Sequence, residues 1–145
     1  MSERLQDAIP RSFWIIAAVA LAWNLIGVAA FVAQVTTTED ALMQLPEAER
    51  MLYENVPVWA NGVFAVAVFG GVLGSLLLLL RKSWAVPVFI ASLASIFVLY
   101  YYWFFVARSI EVYGPRGLIM PAMVTVIGVL LLWYSRYASA KAWIS

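Results

Sequence analysis

Four apolar stretches, residues 13–35, 58–80, 84–107 and 117–134, contain no Asp, Glu, Lys, Arg or His. Each is close to the ~20 residues an α-helix needs to cross a bilayer's hydrocarbon core. The pattern predicts an all-α membrane protein that crosses the bilayer four times and uses the whole chain as one domain. Composition agrees: 65% of the 145 residues are hydrophobic and 12% charged, against roughly 45–50% and about 25% in soluble proteins. Buried ionisable groups usually mark proton relays and ion paths, and these spans carry none. A net charge of +1 gives no reason to expect nucleic acid as a partner. The chain has no cysteine and no histidine, which removes thiol chemistry, imidazole catalysis and the usual donors to zinc or haem. No cofactor or metal is expected.

The first stretch is longer than the 7–15 apolar residues of a signal-peptide core, and reads as an uncleaved helix. Orientation follows from charge. Arg4, Arg11, Arg81, Lys82, Arg136 and Lys141 fall on one side, and Arg50, Arg108 and Arg116 on the other. The positive-inside rule then places both termini in the cytoplasm. Trp14, Trp84, Trp133 and Tyr134 would mark the inner interface, with Trp59 and residues 100–103 at the outer one. That is the placement of amphipathic aromatic belts. Trp23 alone falls near mid-membrane.

Helices in lipid associate through small residues and a few polar contacts, because lipid is as apolar as leucine. Such a seam can be read on every span. Span one has Ala17, Ala20, Asn24 and Gly27, followed by Phe31; span two has Ala60, Ala67, Gly71 and Gly74, with Gly70 and Ser75 on the shoulders. Span three offers Ser92 and Ser95, then Leu99 and Tyr102; span four offers Pro121, Thr125 and Gly128. Spacing of three and four residues predicts left-handed packing at about +20°, in an antiparallel up-down-up-down four-helix bundle. Gly70 and Gly74 form a Gly-x-x-x-Gly motif, expected to pack within the chain. Pro87 and Pro121 sit in the first turns of their spans, where a missing N–H costs least.

Residues 36–57 form the one substantial loop. Thr36, Thr37, Thr38 and Glu39 read as a helix start with a Thr/Glu capping box. Ala41, Leu45, Ala48 and Leu52 then recur on one face, opposite Glu47, Arg50 and Glu54. Pro46 divides the segment, since the residue before a proline is biased away from helix. One or two short amphipathic helices across the outer mouth are expected, as a connector first and a lid or docking surface second.

Asn24, with Trp23 beside it, is the main candidate for a site. A buried amide needs a partner, and interhelical bonding is the first reading; a neutral ligand with hydroxyls is the second. Ser92, Ser95, Tyr102 and Thr125 are the other polar candidates. Residues 100–105 are six consecutive aromatics, too many for one helix face, and an interface belt accounts for most of them. Arg108 and Glu111 stand three apart, placed to pair with each other or for Arg108 to meet a lipid phosphate. Ser92 and Ser95 lack a His or Lys base within the membrane and the outer carboxylates have no metal-like arrangement around them, so no catalytic constellation is read and an enzyme is not expected.

Three stretches carry a resemblance: residues 12–27 (Ser-Phe-Trp-Ile-Ile through Ala-Trp-Asn-Leu-Ile-Gly), residues 45–59 (Leu-Pro-Glu-Ala-Glu-Arg … Pro-Val-Trp), and residues 69–82 (Phe-Gly-Gly-Val-Leu-Gly-Ser … Arg-Lys). Together they resemble a family of small bacterial four-span proteins often labelled sugar transporters without known mechanism. The resemblance implies a bacterial inner-membrane location and carries over no substrate residues. Two functional readings follow. The first is a non-enzymatic accessory, scaffold or lipid-binding module, partnered by membrane lipids, a second copy or another membrane protein. The second is a transporter for a small neutral solute such as a sugar. Charge-free spans, the lack of mid-membrane helix breaks and the lack of an inverted repeat weigh against transport.

Overall fold

The computed structural model describes residues 9–145; Arg4 lies outside the described residues. Regular structure among these residues is helical throughout: α1 (Arg11–Val35), α2 (Glu39–Met43), α3 (Glu47–Glu54), α4 (Val58–Leu79), α5 (Ala85–Tyr101), α6 (Ser109–Tyr113) and α7 (Ile119–Ala140). A π-helical turn, Tyr102–Val106, prolongs α5, and a 3₁₀ turn, Gly114–Leu118, leads into α7. Four helical segments are long and apolar enough to cross a membrane: α1, α4, α5 with its π turn, and the run from α6 through the 3₁₀ turn to the end of α7. Pro87 and Pro121 each occupy the third position of their helix, so neither breaks a backbone bond.

The fourth span differs from its expected limits. It turns helical at Ile119 and continues to Ala140, six residues beyond Tyr134. Leu131, Ser135 and Ala138 recur on one buried face, and packing along that face carries the helix past the apolar run.

α4 is the central helix, packed against α1 on one side and α5 on the other, while α7 packs on α5. Its two faces are lined differently. Toward α1, Asn24 meets Gly71 and Ser75, Gly27 meets Val68, Phe31 packs edge-on against Phe64, and Gln34 bonds Asn61 at 2.9 Å. Residue numbers rise along α1 as they fall along α4. Toward α5, Gly74 faces the Phe89 ring and Gly70 faces Ser92, so the Gly-x-x-x-Gly pair packs inside the chain. Gly71 is on the opposite shoulder. Gly128 brings α7 against Leu93 and Ile96. Ala17, Ala20 and Ala67 are buried as their seams predict.

Two details of the seams differ. Ser75, placed on a shoulder by spacing, is fully buried, because α4 has a neighbour on each flank. On α5 and its π turn the buried positions are Ala85, Phe89, Ser92, Ile96, Leu99 and Tyr102. Ser95 is turned aside, half-buried, and donates to the Ala91 carbonyl of its own helix at 3.0 Å.

The 36–57 segment is two short helices with the break at Pro46, which caps α3. Thr38 caps α2 by accepting from the Ala41 N–H at 3.2 Å. Glu39 is the first helical residue and Ala41 the third, so the reciprocal glutamate contact of a capping box does not form. Thr36 and Thr37 instead close α1, each donating to a carbonyl one turn back. Of the apolar face read from spacing, Leu52 alone is buried, and Ala41 and Ala48 are exposed. With so little side chain to bury, the alanines do not dock these helices.

Candidate site: a crevice between the first and last helices

α1 and α7 close against each other mainly at the end of the molecule that holds the start of α1 and the end of α7. There Phe13 stacks on Tyr134, with centroids 6.4 Å apart, and Trp143 packs edge-on against Phe13. Toward the other end the two helices part. The gap begins as a groove of about 410 Å³ between Ile15, Val19 and Trp23 of α1 and Ile127, Leu130 and Trp133 of α7. Beyond Trp23 it deepens into a cavity of about 240 Å³ that reaches Phe64 and Ala67 of α4 and Leu99 of α5. Shared walls at Phe64, Leu99, Tyr100 and Met120 join that cavity to a third space of about 380 Å³ at the loop end. The result is a crevice bounded by all four long helices and open on the α1–α7 flank.

The walls are almost wholly apolar. Asn24 and Trp23 are the sequence candidates that line the crevice. The Asn24 amide Nδ2 donates to the Ala20 carbonyl at 2.8 Å and to Ser75 Oγ at 3.3 Å. Ser75 Oγ in turn donates to the Gly71 carbonyl at 2.8 Å. This small chain ties α1 to α4, and the interhelical reading of Asn24 describes its donors well. Its Oδ1 lies against Gly71, at the crevice wall. Ser92 Oγ donates to the Ala67 carbonyl at 2.6 Å, which joins α5 to α4. Thr125 bonds the Pro121 carbonyl within α7. Neither Ser95 nor Thr125 joins the Asn24 cluster.

Tyr102 belongs to a different place. It is buried, packs edge-on against Trp59, and donates through its hydroxyl to the Asn55 carbonyl at 3.3 Å. The π turn that begins at Tyr102 widens the helix within the aromatic run. It divides the run: Tyr102 braces the end of the α3 segment, while Tyr100, Trp103 and Phe104 line the crevice mouth. π turns of this kind recur at functional sites.

The mouth also holds residues that sequence reasoning did not single out for a site: Gln34, Tyr53, Tyr113 and Arg116. Arg50 and Arg108 are paired with Glu54 and Glu111, at 3.7 and 3.6 Å. Arg116 has no such partner among the described residues. That difference was available in the sequence, since positions three and four away from Arg116 are Val112, Tyr113, Ile119 and Met120. No group of His, Cys, Asp or Glu able to hold a metal ion occurs among the described residues. Comparisons with protein-family models, curated proteins and solved structures found no match.

Proposed function

We propose that the protein is a non-enzymatic lipid-binding module of the bacterial inner membrane, holding an apolar chain in the α1–α7 crevice. One observation carries the reading: a crevice with apolar walls opens on the flank between two helices long and apolar enough to cross a membrane. Ligand sites are concave, mostly apolar and marked by a few placed polar groups; here those groups gather at one end. The antiparallel up-down-up-down arrangement belongs to the same proposal, and the opposed contacts along α1 and α4 support it. So does placement of both termini in the cytoplasm, with α2 and α3 outside.

That orientation has a direct test, because the chain contains no native cysteine to interfere. Gln44 and Ser139 are both exposed, at opposite ends of the helical assembly. In intact cells Gln44→Cys should label with an impermeant maleimide, and Ser139→Cys only after the inner face is opened. The reverse pattern overturns the orientation.

The rival reading, a transporter for a neutral solute, draws on the Asn24 amide at the crevice wall. Melting curves of delipidated protein in one detergent, with lipids and sugars titrated in, separate the two. A ligand that binds the folded state stabilises it by RT ln(1 + [L]/Kd), about 2.7 kcal/mol at a hundredfold excess over Kd. Lipid should raise the melting temperature in this graded way, and sugars at high millimolar concentration should not. Asn24→Leu should cost roughly 0.6 kcal/mol for the interhelical bond and leave the lipid response intact, because Ser75 keeps its bond to the Gly71 carbonyl. A sugar response that Asn24→Leu abolishes would favour the transporter.

A further inference from the structure

We infer that the crevice mouth recognises the phosphodiester of a glycerophospholipid, with Arg116 as the phosphate-binding group and one acyl chain lying between α1 and α7. The inference rests on the lipid reading above and specifies its headgroup. Three observations carry it.

The first is charge. Arg50 and Arg108 spend their guanidinium groups on neighbouring carboxylates, whereas Arg116 lines the mouth without an acidic partner among the described residues. A guanidinium presents a planar fork of donors that matches phosphate oxygens. Beside it stand the tyrosines Tyr53 and Tyr113, whose hydroxyls can donate to the same anion.

The second is depth. Arg116 lies in the turn just before α7, and the deeper cavity below it ends short of Ile127, where Trp23 separates it from the groove that continues between α1 and α7. Eleven residues at 1.5 Å each span about 16 Å, close to one leaflet's share, about 15 Å, of a 30 Å hydrocarbon core. A lipid with its phosphate at Arg116 would therefore run its chain down the crevice to near Trp23 without leaving its own leaflet.

The third is how little charge the mouth carries. Among the residues that line it, Arg116 alone is charged. A single guanidinium is not a basic patch that would take any polyanion, so a zwitterionic phosphatidylethanolamine is the fitting probe.

The test compares phosphatidylethanolamine with diacylglycerol, which offers the same chains without phosphate, and with inorganic phosphate alone. Delipidated protein is titrated with each, read by melting temperature and native mass spectrometry. Phosphatidylethanolamine should bind the parent roughly tenfold more tightly than diacylglycerol, the equivalent of about 1.4 kcal/mol. Arg116→Gln should bring the two lipids level while leaving the diacylglycerol response unchanged. Arg108→Gln, which alters an exposed and already paired arginine, should preserve the difference. Equal responses to both lipids in the parent, or a preference that survives Arg116→Gln, overturns the headgroup assignment and leaves the lipid crevice standing. Stabilisation by inorganic phosphate equal to that by the phospholipid also overturns it, since the site would then take the free anion. No response to either lipid, or a tight dimer that takes up none, removes the lipid reading itself.

Discussion

Replacing Gly71 and Gly74 together by leucine is expected to collapse the packing on both sides of α4. A Cβ at Gly74 would stand 2.7 Å from the Phe89 ring, and one at Gly71 would run into the Asn24 amide. Neither neighbour can give way easily. Phe89 is 3% exposed, and the Asn24 amide is held by Ala20 and Ser75. Overpacking of this kind costs about 1–3 kcal/mol at each position, and here it acts on the central helix, which two others depend on. Melting in a single detergent should fall steeply for the double variant. Gly62→Leu serves as the control: a Cβ there meets nothing within 4 Å, and surface changes usually stay within about 0.5 kcal/mol. An unchanged melt, with an oligomer falling apart instead, would place the small-residue face against another subunit.

The small residues were legible because lipid removes the hydrophobic contrast that would otherwise hide them. In a bilayer a helix has little reason to place glycine on a face except close approach, so Gly71, Gly74, Gly27 and Gly128 point directly to contacts. What the pattern lacks is the number of neighbours. A single seam per helix suffices for α1, but α4 has two, and Gly70 and Ser75 turn from shoulder positions into contact positions for that reason. The crevice itself was not legible. It arises because α1 and α7 pack on α4 and α5 while touching each other mainly at one end, a property of helix placement that no residue announces. Its mouth was half legible: the aromatic run was visible, but the π turn that divides Tyr102 from Trp103 and Phe104 has no sequence signature here. Arg116 was open to view as an arginine without a carboxylate in helical reach.

Helix ends were harder still, for a specific reason. α4 and α7 both finish in the motif that usually recruits glycine to a left-handed position, and neither has one. Arg81 occupies it after α4 at φ 59°, with Lys82 N–H bonding the Leu77 carbonyl; Ala142 occupies it after α7 at φ 60°, with Trp143 N–H bonding the Ala138 carbonyl. The two ends then hold each other. Ser83 N–H donates to the Ser145 carbonyl, Ser145 N–H to the Arg81 carbonyl, and Arg81 Nε to the Trp143 carbonyl at 2.9 Å. These mutual bonds, with the side-chain packing around them, are what compensate the strained backbone at both places.

Ile144→Ala is therefore expected to destabilise the protein well beyond what a residue so near the end of the sequence would suggest. Ile144 is 2% exposed and belongs to the same cluster as Phe13, Leu78, Ala85 and Ala138. It helps seal the one end at which α1, α4, α5 and α7 all converge. Truncating a buried isoleucine costs about 2–5 kcal/mol, and the loss should appear as a lower melting temperature with faster labelling of a cysteine placed at Ala138. The opposite change is available two residues back. At Ala142 the left-handed backbone costs roughly 1–2 kcal/mol for a residue with a Cβ, so Ala142→Gly should recover part of that and raise the melting temperature slightly. If the packing of residues 142–145 were incidental, Ile144→Ala would melt with the parent and Ala142→Gly would only loosen that segment. Opposite shifts from two residues so close together require the segment to be packed as described.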